Sequence, residues 1–94
     1  MSDPDKIARI FKVLSVESRV RIVQLLKERA LCVNALAKML NITPAAVSQH
    51  LRVLRNTEIV KAEKRGYYVH YCLNKETLKR WKSMSDTLFE NEAR

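Results

Sequence analysis

Residues 35–56 read ALAKMLNITPAAVSQHLRVLRN, and the fold turns on this stretch. Val33, Leu36, Ala37 and Leu40 recur at the i, i+3, i+4, i+7 spacing of an amphipathic helix. Asn41 suits a helix end, Ile42 the middle of a tight turn, and Thr43 the cap of a new helix with Pro44 at its first position. In that new helix Val47, Leu51 and Leu54 share one face. At about 100° per residue, Ala45, Ser48, Gln49 and Arg52 point the other way. The outward face is small and polar at its N-terminal end and basic further along.

Two helices joined by a three-residue turn, the second with a polar face, have helix-turn-helix geometry. The residue types fit reading of a DNA major groove. Ala45 and Ala46 permit close approach, while Ser48 and Gln49 can bond base edges, Gln bidentately to adenine. Thr43 and the helix N-terminus can hold a phosphate, and Arg52 and Arg55 supply charge for the backbone. His50 lies about 60° off the apolar stripe, where it packs or touches phosphate. An ordinary helical hairpin with a wet polar face would look similar, so the flanking sequence has to decide.

Downstream the period changes from 3.6 to 2. EIVKAEK and YYVHYCL alternate around a basic KRG turn, with Gly66 free to adopt positive φ. Val69, Tyr71 and Leu73 are expected to face the core, and Tyr68, His70 and Cys72 the other side. A basic-tipped hairpin straight after a recognition helix is a wing, with Lys64 and Arg65 placed to reach a groove or phosphates. Asn74 then caps a last helix with a Leu78, Trp81, Ser85, Leu88 stripe flanked by Met84 and Phe89.

Upstream, Asp3 caps a first helix with Pro4 at its first position and Ile7, Ile10, Phe11 and Leu14 at helical spacing. Ser15 is placed to cap a second helix, with Val16, Val20, Val23 and Leu26 turned inward. Ala30–Cys32 reads as a short extended step. The expected architecture is mainly α with a small β-hairpin. It is a winged helix-turn-helix of about five helices and a two- to three-stranded wing, one domain over residues 1–94.

Composition sets limits. Eighteen Lys and Arg against ten Asp and Glu give a net charge of +8 on 94 residues, which favours a polyanionic partner such as double-stranded DNA. No apolar run reaches the roughly 18–20 residues of a membrane span, and Lys6, Arg9 and Lys12 interrupt any signal-like stretch. Two cysteines forty residues apart are no disulfide framework, and the expected setting is the reducing cytoplasm. No Ser–His–Asp set, carboxylate pair or phosphate-cradling glycine loop can be assembled, so the chain does not read as an enzyme, and no cofactor is expected.

LSVESRVRIVQLL, LCVNALAKMLNITPAAVSQHLRVLRN and KRGYYVHYCLN, in that order, resemble the ArsR/SmtB family of winged-helix repressors. The resemblance covers residues 5–90, and AVSQHLRVLR is its most specific part. It implies a homodimer that binds a palindromic operator, and repression that is relieved when a metal, metalloid or oxidant binds. It also implies a dimer interface from the first and last helices. The residues agree: Ile7, Ile10 and Phe11 with Leu78, Trp81, Leu88 and Phe89 are more apolar surface than a small monomer should expose. The family usually places glycine between recognition helix and wing. Here the link reads RNTEIV, with Asn56 available for a left-handed exit.

The sensor departs further. Many relatives carry CVC at the start of the third helix, whereas this chain has Cys32, Val33 and Asn34. Soft metals and arsenic favour several thiolates, so that site is incomplete. The last helix has no histidine, and Asp86 with Glu90 make a poor transition-metal site. No metal ligands are therefore assigned. If the strand before the third helix pairs with the second wing strand, Cys32 and Cys72 come near each other. They would then serve a redox switch, or, with His70, a thiophilic ligand. Buried filler is the plainer reading of both cysteines. The competing class for the whole chain is a winged-helix module that binds protein rather than DNA, independent of any effector.

Overall fold

The computed structural model describes residues 3–91. It contains α1 (Pro4–Val13), α2 (Glu17–Glu28), α3 (Val33–Leu40), α4 (Pro44–Asn56), β1 (Val60–Arg65), β2 (Tyr68–Leu73) and α5 (Lys75–Phe89). The order and types match the sequence reading.

Local chemistry explains most boundaries. Asp3 accepts a hydrogen bond from the Asp5 amide at 2.9 Å, Thr43 from Ala46 at 3.1 Å, and Asn74 from both Glu76 and Thr77. Each side chain satisfies donors that the first helical turn leaves free. Asn41 ends α3 in the left-handed region at φ 56°, where its short polar side chain is tolerated.

Two expected boundaries are corrected. Ser15 does not cap α2: its hydroxyl donates back to the Lys12 carbonyl at 2.7 Å, and Val16 occupies the cap without a side-chain bond. Asn56 does not make the left-handed exit from α4. The helix includes it, Thr57 is the cap, and Glu58 takes φ 65°. The turn is fixed by the Glu58 amide donating to the Arg55 carbonyl at 2.9 Å.

The core lies where α2, α3 and α4 meet the base of the hairpin. Ile22, Leu36, Val47 and Leu54 are fully buried, with Leu51, Ile59 and Val60 nearly so. In α2 the buried line runs through Ile22 and Leu26, while Val16, Val20 and Val23 are only half-buried. The expected inward stripe is thus rotated toward Ile22. Burying a side chain of this size stabilises the fold by about 1.5–3 kcal/mol.

β1 and β2 pair antiparallel, from Val60↔Leu73 to Arg65↔Tyr68. Only Gly66 and Tyr67 lie between the last pair, so the tip is a two-residue turn with Gly66 at φ 63°. Lys64 and Arg65 end β1 rather than form the turn. Leu73 is buried and Tyr71 packs on the core, but Val69 is exposed because the hairpin has by then projected past the helices. Leu31 bridges Tyr71 through reciprocal backbone bonds of 3.0 and 2.8 Å, adding a single third-strand rung to the wing.

α5 is barely buried. Thr77 is its one fully enclosed residue, its hydroxyl accepting from Arg80 at 3.1 Å, while Leu78 and Trp81 pack on the core margin. The Cα radius of gyration is 14.8 Å, against about 12 Å for a compact chain of this length. No helix among the described residues is long and apolar enough to cross a membrane.

Candidate nucleic-acid interface

α4 buries Val47, Leu51 and Leu54 and so turns Ala45, Ser48, Gln49, Arg52 and Arg55 outward, all exposed. Thr43 is exposed too. Its oxygen is engaged as the helix cap, which leaves its O–H free to donate outward. Between α4 and β2 runs a groove of about 480 Å³, bordered by Ser48, Arg52, Arg55 and Asn56 with Leu51 and Tyr71 at its base. A groove with two guanidinium groups on its margin suits a phosphate backbone.

Arg52, Arg55 and Lys64 are in no salt bridge among the described residues, so their charge is available to a partner. Arg65 is held differently. Its Nη2 lies 3.2 Å from Glu63 Oε2, and this pair, with a bond from the Cys72 thiol, holds the Glu63 carboxyl below its ordinary range. Both partners are about half exposed, so the pair is weak and readily exchanged for a phosphate.

Tyr67 was not singled out from the sequence. It stands fully exposed at 101% on the wing tip, beside Tyr68 at 63%. The KRGYY order was legible, but which of its residues occupied the turn depended on the strand register. An aromatic ring beside cations at such a tip can meet sugar and base surfaces as well as phosphate.

His50, expected to pack or to touch phosphate, is engaged as a strut between α2 and α4. Its Nδ1 accepts a hydrogen bond from Arg19 Nε at 3.3 Å, and Arg19 Nη1 also holds the Val13 carbonyl at 3.3 Å. Partial burial, then the Arg19 charge, lowers the His50 pKa from its ordinary 6.5. Near neutral pH the imidazole is uncharged and the contact intact. As pH falls through the lowered value, a proton on Nδ1 removes the acceptor and sets cation against cation. The unfolded chain takes up that proton first, so stability falls on acidification. The wild-type urea midpoint is expected to fall between about pH 7 and about pH 5 by more than that of His50→Gln. Equal slopes for the two proteins would exclude this contact as the source.

The cysteines are not set as a facing pair. One residue either side of the Leu31↔Tyr71 bridge, antiparallel register sets Ala30 opposite Cys72 and Cys32 opposite His70. Cys32 is then diagonal to Cys72, about 7–8 Å away, where a disulfide needs Cα atoms within about 4.4–6.8 Å. Both thiols are free and half-buried. Burial and a 3.5 Å bond to Glu63 push the Cys72 thiol up, away from the reactive thiolate. Among the described residues no three His, Cys, Asp or Glu side chains converge as a metal site. Asp86 instead pairs with Lys82 at 2.6 Å.

On the first and last helices, Ile7 and Ile10 are largely enclosed within the protomer, at 8% and 5% exposure. Leu78 and Trp81 likewise pack on the core. The apolar surface left open is Phe11, Leu88 and Phe89, with the Phe11 and Phe89 rings edge to face at 6.3 Å. A groove of about 530 Å³ runs there between Pro4, Ile7, Ala8 and Phe11 on one side and Thr87 and Leu88 on the other.

A capped helix-turn-helix with an open polar face, followed directly by a basic hairpin, defines a winged helix-turn-helix of the kind found in transcriptional regulators. Comparison with known proteins narrows the class. Residues 17–62 match the model of the arsR family of bacterial regulatory proteins. A cadmium resistance transcriptional regulatory protein CadC homolog from Staphylococcus aureus is 40% identical over 78 residues, covering 82% of this chain and 64% of that protein. A transcriptional repressor SmtB homolog from Synechocystis sp. is 30% identical over 93 residues, covering 98% of this chain and 70% of that protein. A crystal structure described as a possible transcriptional regulator for arsenical resistance superposes with a TM-score of 0.79. It shares 32% identity and covers 86% of this chain and 84% of that one. The chain belongs to the arsR family, whose members are transcriptional regulators rather than enzymes.

Proposed function

We propose that this protein is a homodimeric transcriptional repressor that binds a palindromic operator in the cytoplasm. The observation that carries the reading is the outward face of α4. Ala45, Ser48, Gln49 and Arg52 are all exposed on a helix whose opposite face is locked into the core, and the wing follows directly. Its relatives support repression as the outcome, since one of them is described as a transcriptional repressor. In this reading Ser48 and Gln49 read base edges, and Thr43, Arg52, Arg55 and the wing cations Lys64 and Arg65 hold backbone. Small Ala45 lets the helix sit deep. Two-fold symmetry of the dimer would match two-fold symmetry of the site.

The test is a gel-shift against genomic fragments, followed by titration of a selected site and a random duplex. Gln49→Ala is expected to cost about 1–3 kcal/mol on the selected site and little on the random one. Equal, weak binding of both duplexes by the wild type at every salt concentration would rule out a specific repressor and favour a protein-binding winged helix.

Cys32 and Cys72 stand outside this reading. Their diagonal register and the raised Cys72 thiol give no support to a direct disulfide switch within one chain.

A further inference from the structure

On the flank of α1 away from the Phe11 groove lies a second cleft, of about 370 Å³, between α1, α5 and the exit of α4. Its volume lies within the range of about 300–1,000 Å³ that holds small ligands. The apolar part of its lining is Ile10, Trp81 and Met84, and its charged part is Lys6, Arg9 and Arg80 with one carboxylate, Glu58. None of these four charged groups is in a salt bridge among the described residues. Three cations against one anion leave the cleft net positive. Guanidinium groups offer carboxylate a planar fork of donors, and the half-buried Trp81 ring offers a flat apolar surface. We infer that this cleft binds a small amphipathic organic anion, an aryl or alkyl carboxylate. The carboxylate meets Arg9 and Arg80, and the apolar part lies on Trp81 and Met84.

The cleft's place in the fold gives such binding a consequence. Thr57 and Glu58, which also line it, are the cap and left-handed turn through which α4 hands the chain to the wing. A ligand there bridges α1 and α5 to the end of the recognition helix. At about 100° per residue, Lys6, Arg9 and Ile10 face opposite to Pro4, Ala8 and Phe11 on α1. On α1, the cleft and the Phe11 groove therefore open on opposite flanks. This consequence rests on the DNA-binding reading, but the binding itself does not.

Trp81 is the only tryptophan, so its fluorescence reports on the cleft directly. The full chain is titrated with phenylacetate and decanoate, with phenylacetamide as the neutral counterpart, by fluorescence and by calorimetry. Saturable binding of at least one carboxylate is expected, with phenylacetamide weaker than phenylacetate. Arg9→Gln and Arg80→Gln should each weaken the carboxylate about tenfold while leaving the far-ultraviolet circular dichroism unchanged. No saturation by either carboxylate up to about 10 mM overturns the site, as does equal binding of phenylacetamide or wild-type affinity in both variants. A gel-shift with saturating carboxylate then reads the coupling. Changed DNA affinity supports it, and unchanged affinity overturns the coupling alone. A protein that binds the carboxylate but no DNA would overturn the repressor reading and leave the cleft standing.

Discussion

The Arg52→Ala, Arg55→Ala double variant is expected to bind DNA about a hundredfold more weakly than wild type, on selected and random duplexes alike. Both side chains are exposed on the margin of the α4–β2 groove and neither is in a salt bridge among the described residues. Among the described residues no carboxylate pairs with their charge. A hydrogen bond to a charged group contributes about 1.5–3 kcal/mol, so losing two phosphate contacts gives a loss of about this order even at the low end of that range. The sign of the salt effect follows as well. Each phosphate neutralised releases counterions and adds about 0.9 to the slope of log K against log salt. The variant's slope should therefore be shallower by about 1.8. Because both residues are exposed, unfolding free energy should change by no more than about 0.5 kcal/mol each. Titrations at several salt concentrations check all three statements. An unchanged slope would mean these arginines do not touch backbone, and the groove would need another occupant.

The contrast with Gln49 separates two kinds of contact on one helix. Gln49→Ala should act on preference among sequences, and the arginine pair on affinity for DNA in general. The same contrast divides this helix by what sequence can show. The apolar stripe of α4 and its Thr43–Pro44 start were legible because a periodic pattern and a capping pair are local properties. The outward face followed from the inward one. The Arg19–His50 contact was not legible, because it joins side chains 31 positions apart whose approach depends on how α2 crosses α4. The same holds for Ile22: the rotation of α2 about its own axis, by about 100°, was fixed only by the neighbouring helices.

The loops show a different limit. Asn56 is the better left-handed residue by intrinsic preference, yet Glu58 occupies that conformation. The α4 ladder continues through Asn56, and the Ile59 carbonyl must then be placed to accept from Asn74 at 2.9 Å. Tertiary closure of the sheet therefore sets where the chain turns, against local preference. Hairpin register acted likewise on the cysteines. Pairing of the segment before α3 with β2 was legible as topology, and Leu31↔Tyr71 realises it. Which residue faced Cys72 depended on one step of register, and that step gave Ala30.

Introducing charge on the α1–α5 face should convert the protein from dimer to monomer and thereby reduce operator binding to that of a single half-site. Phe11 is 41% exposed, Leu88 50% and Phe89 74%, along a groove of about 530 Å³. The elongated chain leaves α5 little buried by its own protomer. Apolar surface of this extent on a winged helix is best covered by the same surface of a second copy, since a two-fold interface is self-complementary. Symmetry also sets the size of the effect. Every substitution appears twice at a two-fold interface, so Phe11→Glu with Leu88→Asp places four carboxylates in one apolar contact. At roughly 1.5 kcal/mol each, a low figure for a charge that must be desolvated, the dimer loses about 6 kcal/mol. That is a dissociation constant raised about ten-thousandfold. Mass measurement by light scattering should then read one chain of 10.9 kDa where wild type reads about twice that. Because neither position is buried in the protomer, circular dichroism should remain that of the folded chain. A monomer reaches only one half-site, so affinity for the palindrome should fall to that for a single half-site, while wild type keeps the large difference between the two. A folded variant that stays dimeric would place the interface elsewhere and leave the Phe11 groove without its second copy.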